Sequence, residues 1–357
     1  MQNEFGLQRA QLRGYMFELA ILHLLERNNF HLVNANVDGK IKMEREFFYE
    51  LRGRGGWHQI DCPCDYEKHI PFMYPIRMLG EVKFLKTPIE KRYVREFIGV
   101  VKDIQENYFV SEDEPNGFQN NRKMDIGVFF SASGFNAEAE KLAYAHGIKT
   151  ISYDRHFLID RIKDYIIELE QNYISVNVIR ASIINDFKRA FYNLISGAQI
   201  NERMRIFDGV TADGFNNVMN ALQRSLSSIQ SSFLGTTKTG VFMHFIGEEP
   251  FPDELFTESD DGICRVYYEI NNFKRRYFYI TIHDDFRDRK FYFTPPESLD
   301  KAALFGKSTI LQEKEELFGE VNININLRGI NRNLTLRIDT DWIKSLNKSE
   351  QQEDVLL

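Results

Sequence analysis

Asp61, Glu81 and Lys83 are the residues whose types and spacing could do chemistry. Asp61 closes the short run Trp57-His58-Gln59-Ile60, which follows the glycine-rich turn Gly53-Arg54-Gly55-Gly56. Further on, Gly80-Glu81-Val82-Lys83-Phe84 lies in an extended segment, Tyr74 to Leu85. Side chains at i and i+2 of a strand share a face, so Glu81 and Lys83 point together while Val82 turns into apolar packing. Two carboxylates can hold a hard divalent cation through oxygen. Such a cation activates water and stabilises charge on a phosphate, and an amine beside it orients the nucleophile. The chemistry implied is phosphodiester hydrolysis.

Several elements must position these groups. The glycine turn delivers Asp61 at a strand end. Residues Gly14 to Phe30 have apolar positions at three- and four-residue spacing and predict an amphipathic helix. Glu18 falls on its apolar face with Tyr15, Leu22 and Leu25. A carboxylate there is costly unless paired or metal-associated; the alternative is an edge residue that reaches water. After Lys83, Thr87-Pro88 reads as an N-cap followed by Pro at N1, starting a helix from Pro88 to Asn107. Lys86, Lys91, Arg92 and Arg95 form a local basic surplus next to the acids. The run Met124 to Ala132 predicts a strand, Ala137 to His146 a helix closed by Gly147, and Ile148 to Tyr153 another strand.

An acid followed about twenty residues later by Glu-x-Lys resembles the catalytic motif of the PD-(D/E)XK nuclease superfamily. The glycine-rich lead-in, the Phe97-Ile98-Gly99 step in the following helix and the Ser133-Gly134-Phe135 passage look like its Mrr-type restriction endonuclease branch. Ile60 stands where the superfamily's usual Pro precedes the acid, as happens in that branch. The resemblance covers about residues 10 to 155. It implies a restriction-endonuclease-like mixed sheet flanked by helices, with Glu18, Asp61, Glu81 and Lys83 catalytic. Asp61, Glu81 and the carbonyl of Val82 would hold Mg2+, with Mn2+ as a substitute, and Glu18 would assist the site directly or through water. It further implies a homo-oligomer that cuts DNA in prokaryotic defence against foreign DNA. Lys86, Lys91, Arg92 and Arg95 would hold the phosphate backbone. Two other readings stay open: a non-cutting module on a nuclease-like fold that binds nucleic acid or a protein partner, and an RNA-directed nuclease.

The chain has 357 residues, long enough for two ordinary domains. Its net charge of −7 does not advertise nucleic-acid binding, but a local basic surface suffices for that. No run approaches the roughly eighteen apolar residues of a membrane span. The three cysteines argue against a disulfide framework. With no leader evident, the expectation is a cytoplasmic protein without a membrane partner. His58, Cys62, Cys64 and His69 have no trustworthy zinc spacing, Cys-x-Cys being tight for tetrahedral geometry, so the cysteines read as small loop residues.

Three units are expected: a nuclease domain over 1–170, a helical connector over 171–235, and a β-rich domain over 236–350 for target or partner recognition. A fragment ending near Gln171 is then expected to fold by itself. From Gly240 on, β-rich runs split by turns suggest an antiparallel sheet. Val321 to Leu327 alternates as a half-buried strand with an asparagine face. Phe273 to Tyr279 interleaves aromatic and basic residues, which fits a hairpin with a basic turn better than nucleic-acid stacking.

Overall fold

A computed structural model describes residues 9–28, 30–33, 40–45, 47–67, 72–108, 122–174, 184–197, 212–296, 319–327 and 330–342. The expected Ser111–Lys123 loop, His69 and the tail from Lys348 fall wholly or largely outside them. The protein is a mixed α/β chain ending in a β-barrel.

The first half is built on a five-stranded mixed sheet of β1 (Phe30–Leu32), β5 (Cys62–Tyr66), β6 (Ile76–Lys83), β7 (Met124–Ser131) and β8 (Lys149–Ser152), in that order. β1, β5 and β6 pair antiparallel, while β6, β7 and β8 run parallel. Parallel neighbours need crossovers, supplied by α2 (Lys91–Gln105) and α3 (Ala137–Ala145). Side-chain alternation assigns the two faces. Leu79 and Phe129 pack with α2 and α3, while Met78, Val82, Val128 and Phe130 pack with α1 (Arg9–Glu26) and α4 (Phe157–Glu168). A smaller antiparallel sheet, β2 (Ile41–Arg45), β3 (Phe48–Arg52) and β4 (Trp57–Ile60), runs directly into β5 through Asp61.

Two helices depart from expectation. α1 begins by Arg9 and is buried all round, with Met16 through Leu22 consecutively out of solvent, because α5 (Ile184–Ile195) and α4 cover the side the sheet leaves open. α2 starts at Lys91, with Glu90 at its N-cap and no side-chain cap, and not at Pro88. Tertiary pairing captures the intervening residues. The Ile89 amide donates to the Gly134 carbonyl at 2.8 Å, and the Asn136 amide donates to the Ile89 carbonyl at 3.0 Å. Ile89 itself is fully buried.

The β-rich half closes on itself. β9 (Ser231–Thr237), β10 (Phe242–Gly247), β13 (Phe291–Phe293), β12 (Arg276–Ile282), β11 (Asp261–Ile270), β15 (Ile330–Ile338) and β14 (Glu320–Leu327) form a closed barrel. Closure removes exposed edges; the expected antiparallel pairing holds for six strand pairs, and only β11 and β15 pair parallel. The barrel encloses an aromatic core that includes Phe233, Phe245, Phe291 and Phe293. The alternation of Val321 to Leu327 holds, with Asn322 and Asn326 exposed. Arg276 to Tyr279 enter β12 from a hairpin turn in which Asn271 accepts from the Phe273 and Arg275 amides.

Within the 171–235 stretch, the described helices form a packed layer. α5 and α6 (Ala212–Ser228) lie in the same apolar cluster as α1, α4 and one face of the five-stranded sheet, and barrel residues Leu234, Ile246, Tyr277 and Tyr292 join it. A buried polar chain crosses the same seam. The Tyr153 hydroxyl meets His244 Nδ1 at 2.8 Å, His244 Nε2 meets Ser232 Oγ at 2.8 Å, and Asn28 Nδ2 donates to that Oγ at 2.7 Å. Burial pushes His244 down to about 3, so a neutral imidazole links the two hydroxyls. Among the described residues no helix is long and apolar enough to cross a membrane.

Candidate active site at the end of β6

Pairing between β5 and β6 stops at Cys62 opposite Gly80, because the chain before Cys62 turns away into β4. Beyond Gly80, β6 loses its partner on that side. The Val82 amide would be left without an acceptor, and Asp61 fills the gap: its Oδ2 accepts from Val82 N at 2.9 Å. One carboxylate oxygen thus continues the ladder, and the acid is fixed against the strand that carries Glu81 and Lys83. Val82 itself packs inward, as its place between them dictates.

Glu81 and Lys83 share a face and form an ion pair, each side chain part-exposed. Burial and the charge of Asp61 push the Glu81 carboxyl up to about 7, with Lys83 pulling it back. Burial works against the Lys83 ammonium, yet Asp61, Glu81 and Glu18 hold its pKa above the ordinary lysine value. Asp61 is therefore electrostatically joined to both groups on β6. All three stand at the carboxyl end of the parallel strands, where open α/β sheets place ligands.

Glu18 approaches from α1. It is buried, and its Oε1 accepts from Lys188 Nζ of α5 at 2.8 Å. Lys188 has no exposed surface. Its amine also reaches the Phe47 carbonyl at 3.3 Å and lies over the rings of Tyr15 and Phe48, at 4.4 and 4.3 Å from their centroids. Burial pushes the Glu18 carboxyl up to about 8; Lys188 opposes this and Asp61 adds to it. The sequence asked for a pairing or a metal at Glu18, or an edge reaching water; the structure supplies a pairing, and what the sequence did not name is the partner, Lys188. The signal was present: Ile184, Phe187, Lys188, Phe191 and Ile195 follow helical spacing, which puts a lysine on a buried stripe.

The glycine turn does its work through α2. Asp103 accepts from the Gly55 amide through both oxygens, at 2.9 and 3.1 Å, and lies 2.7 Å from His58 Nε2. The hydrogen bond from His58 lowers its pKa. A β-carbon on Gly53 would sit 2.1 Å from Asp103 Oδ2 and 2.9 Å from the His58 ring, so only glycine permits this approach. The small sheet, and with it Asp61, is thereby hooked to the helix that follows Lys83.

Lys86, Lys91, Arg92 and Arg95 are all exposed on the start of α2 and the loop before it. Arg92 is engaged with Glu90 at 3.3 Å and with the Tyr93 ring, while Lys86, Lys91 and Arg95 have no ion-pair partner among the described residues. Cys62 and Cys64 are not loop residues. They are fully buried on β5 in the main core, and burial raises both thiols.

Among the described residues, no three His, Cys, Asp or Glu side chains stand close enough together to form a ready-made metal cage. The donor set present is two carboxylates, Asp61 and Glu81, with Glu81 raised by burial and then by the charge of Asp61. A hard, oxygen-seeking dication that keeps several waters fits such a pair.

No family model matches the chain, and no curated protein matches it. Among solved structures, the chain is similar to the crystal structure of a protein of unknown function, AF1548, at 16% identity and a TM-score of 0.34. That match covers 60% of this chain and 98% of the other.

Proposed function

We propose that the chain is a metal-dependent endonuclease whose N-terminal α/β region is a PD-(D/E)XK domain of the Mrr-like branch. The observation that carries this reading is the meeting of Asp61, Glu81 and Lys83 where β5 leaves β6, with Asp61 bound to the Val82 amide. The mixed sheet between helices is compatible with a restriction-endonuclease-like core. Asp61 and Glu81, with the Val82 carbonyl, would hold Mg2+ or Mn2+. When bound, that ion supplies a Lewis acid at the phosphate and an acidified water. Lys83 orients the attacking water and the scissile phosphate once it parts from Glu81. Glu18, held by Lys188, would support the site from behind Asp61, directly or through water. Lys86, Lys91 and Arg95 hold the phosphate backbone, Arg92 joining them on release from Glu90.

The substrate proposed is DNA, cut in the cytoplasm of a prokaryote as defence against foreign DNA. The chain acts as a homo-oligomer, because cutting both strands needs two such sites. The barrel of β9 to β15, which takes in most of the 236–350 region, selects the target or a partner, since sites of this kind are generic and specificity is added from outside them. Plasmid DNA incubated with and without Mg2+ or Mn2+, wild type beside Lys83→Ala, tests the reading. Metal-dependent nicking or linearisation that vanishes in Lys83→Ala is expected. Binding without cutting would favour a non-catalytic module, and cleavage of RNA alone would replace the substrate.

A further inference from the structure

Between the five-stranded sheet and the outer wall of the barrel lies a cleft of about 250 Å3, roofed by β1, β5, β6 and β7 and floored by β9, β10, β14 and β15. Its wall is mostly apolar and no Lys, Arg, His, Asp or Glu lines it. Three rings border it, Phe30 and Tyr66 on the sheet side and Phe242 on the barrel side. Phe30 and Tyr66 pack on each other at 5.2 Å between centroids. The polar groups are the amides of Asn322, Asn324 and Asn333 with the hydroxyls of Thr236 and Tyr66, the latter hydrogen-bonded to the Asn324 side chain. Cavities of this kind, apolar with a few convergent polar groups at the junction of two units, are where small ligands bind.

The amides are arranged for a particular partner. Asn324 and Asn333 face each other in register across β14 and β15. Asn324 Nδ2 donates to Asn333 Oδ1 at 2.6 Å, which leaves the Asn333 amide nitrogen as a donor. Asn324 Oδ1 is buried with no hydrogen-bond partner among the described residues. Buried acceptors are rarely left empty, since an unmet one forfeits its hydration with nothing in return. Asn322 is occupied already, accepting from Thr335 Oγ1 at 3.1 Å. The cleft thus offers an unused acceptor beside a donor, flanked by aromatic faces and free of charge.

We propose that this cleft binds a nucleobase. A flat, neutral heterocycle with adjacent donor and acceptor atoms matches the Asn324–Asn333 pair, as asparagine amides match base edges elsewhere. Its faces match the rings, since every base presents a face that stacks on aromatic side chains. The absence of a cation in the lining assigns the base and not a phosphate to the cavity; any phosphate stays outside the mouth. The cleft also touches the catalytic strand, because Met78 lines it three residues before Glu81. Those two side chains point to opposite faces of β6, so an occupant can press on the strand without meeting the substrate. This inference does not depend on the nuclease reading.

The test is calorimetric titration of the full chain with adenosine, guanosine, cytidine and uridine, with indole as an aromatic lacking the paired donor and acceptor. At least one nucleoside should bind saturably and raise the melting temperature. Asn324→Leu should weaken it about tenfold, the worth of one good hydrogen bond. Thr236→Phe, which fills the cleft from a half-buried position, should abolish binding, and unchanged melting of the ligand-free variants shows that they fold. Competition by a short single-stranded DNA would place the base in a strand; its absence would leave a free nucleoside as the ligand. The proposal is overturned if no nucleoside binds at millimolar concentration. It is equally overturned if indole binds as well as the nucleosides and Asn324→Leu changes nothing.

Discussion

Lys188 of α5 donates to Glu18 of α1 at 2.8 Å, across 170 residues of sequence and with neither group reaching solvent. This pair ties the helix behind Asp61 to a layer that lies outside the 10–155 segment. Breaking one side of a buried pair strands a charge, at a cost of about 3–5 kcal/mol. Lys188→Met and Glu18→Gln should therefore each lower the melting temperature by many degrees. The double variant should recover most of the loss, because two neutral groups need no partner. Additive losses in the double variant would show that the ion pair is not what couples the residues.

Asp61 has two duties that substitution can separate. Asp61→Asn keeps an oxygen for the Val82 amide but removes the charge, so cleavage should vanish while melting holds. Asp61→Ala also orphans the amide, a further loss of about 1–3 kcal/mol. Equal melting temperatures for the two variants would remove the ladder-continuing role of the carboxylate.

The Glu81 carboxyl is raised from its ordinary value to about 7 in the folded chain. Between about pH 4.5 and 7 the folded state holds a proton that the unfolded state has lost, so stability from this group is present at low pH and declines as pH rises through 7. In metal-free protein, Glu81→Gln should flatten that decline and melt higher than wild type at pH 8, while losing cleavage. A variant that melts lower at pH 8 would mean the Lys83 pair outweighs burial and repulsion.

Gly53→Ala should push Asp103 off the turn, because the added carbon meets both Asp103 and the His58 ring. Amide exchange at Gly55 should speed up and cleavage should fall through misplacement of Asp61. Unchanged exchange at Gly55 would mean the turn relaxes around the methyl group.

Lys91→Glu with Arg95→Glu should weaken DNA binding and reduce the salt slope by about 2, fewer counterions being released. These two are better targets than Arg92, which Glu90 and Tyr93 already engage. An unchanged slope would move the substrate path elsewhere.

A fragment ending at Gln171 would lose α5 and α6. It would expose the side of α1 that α5 covers and the side of α4 that α6 covers, and leave Glu18 without Lys188, each uncovered large apolar side chain costing about 1.5–3 kcal/mol. Such a fragment should be insoluble or molten, contrary to the independent folding expected from its size. A sharply melting monomer would restore the simpler division.

Local rules carried much of this chain. Period-2 alternation placed Glu81 and Lys83 on one face and Val82 on the other, and set the apolar and asparagine faces of β14. Helical spacing found α1 and put Glu18 on a stripe where a carboxylate needs company. These features follow from side-chain periodicity, which depends only on neighbours a few residues away. What the tertiary structure decided is every partner supplied from afar. Lys188 meets Glu18, Asp103 seats the glycine turn, and Gly134 and Asn136 take Ile89 away from the helix that Thr87-Pro88 seemed to start. Barrel closure likewise depends on a parallel pairing between β11 and β15, strands far apart in the chain. An unpaired backbone amide or a buried charge announces that a partner is required, but spacing along one chain does not say which residue will provide it.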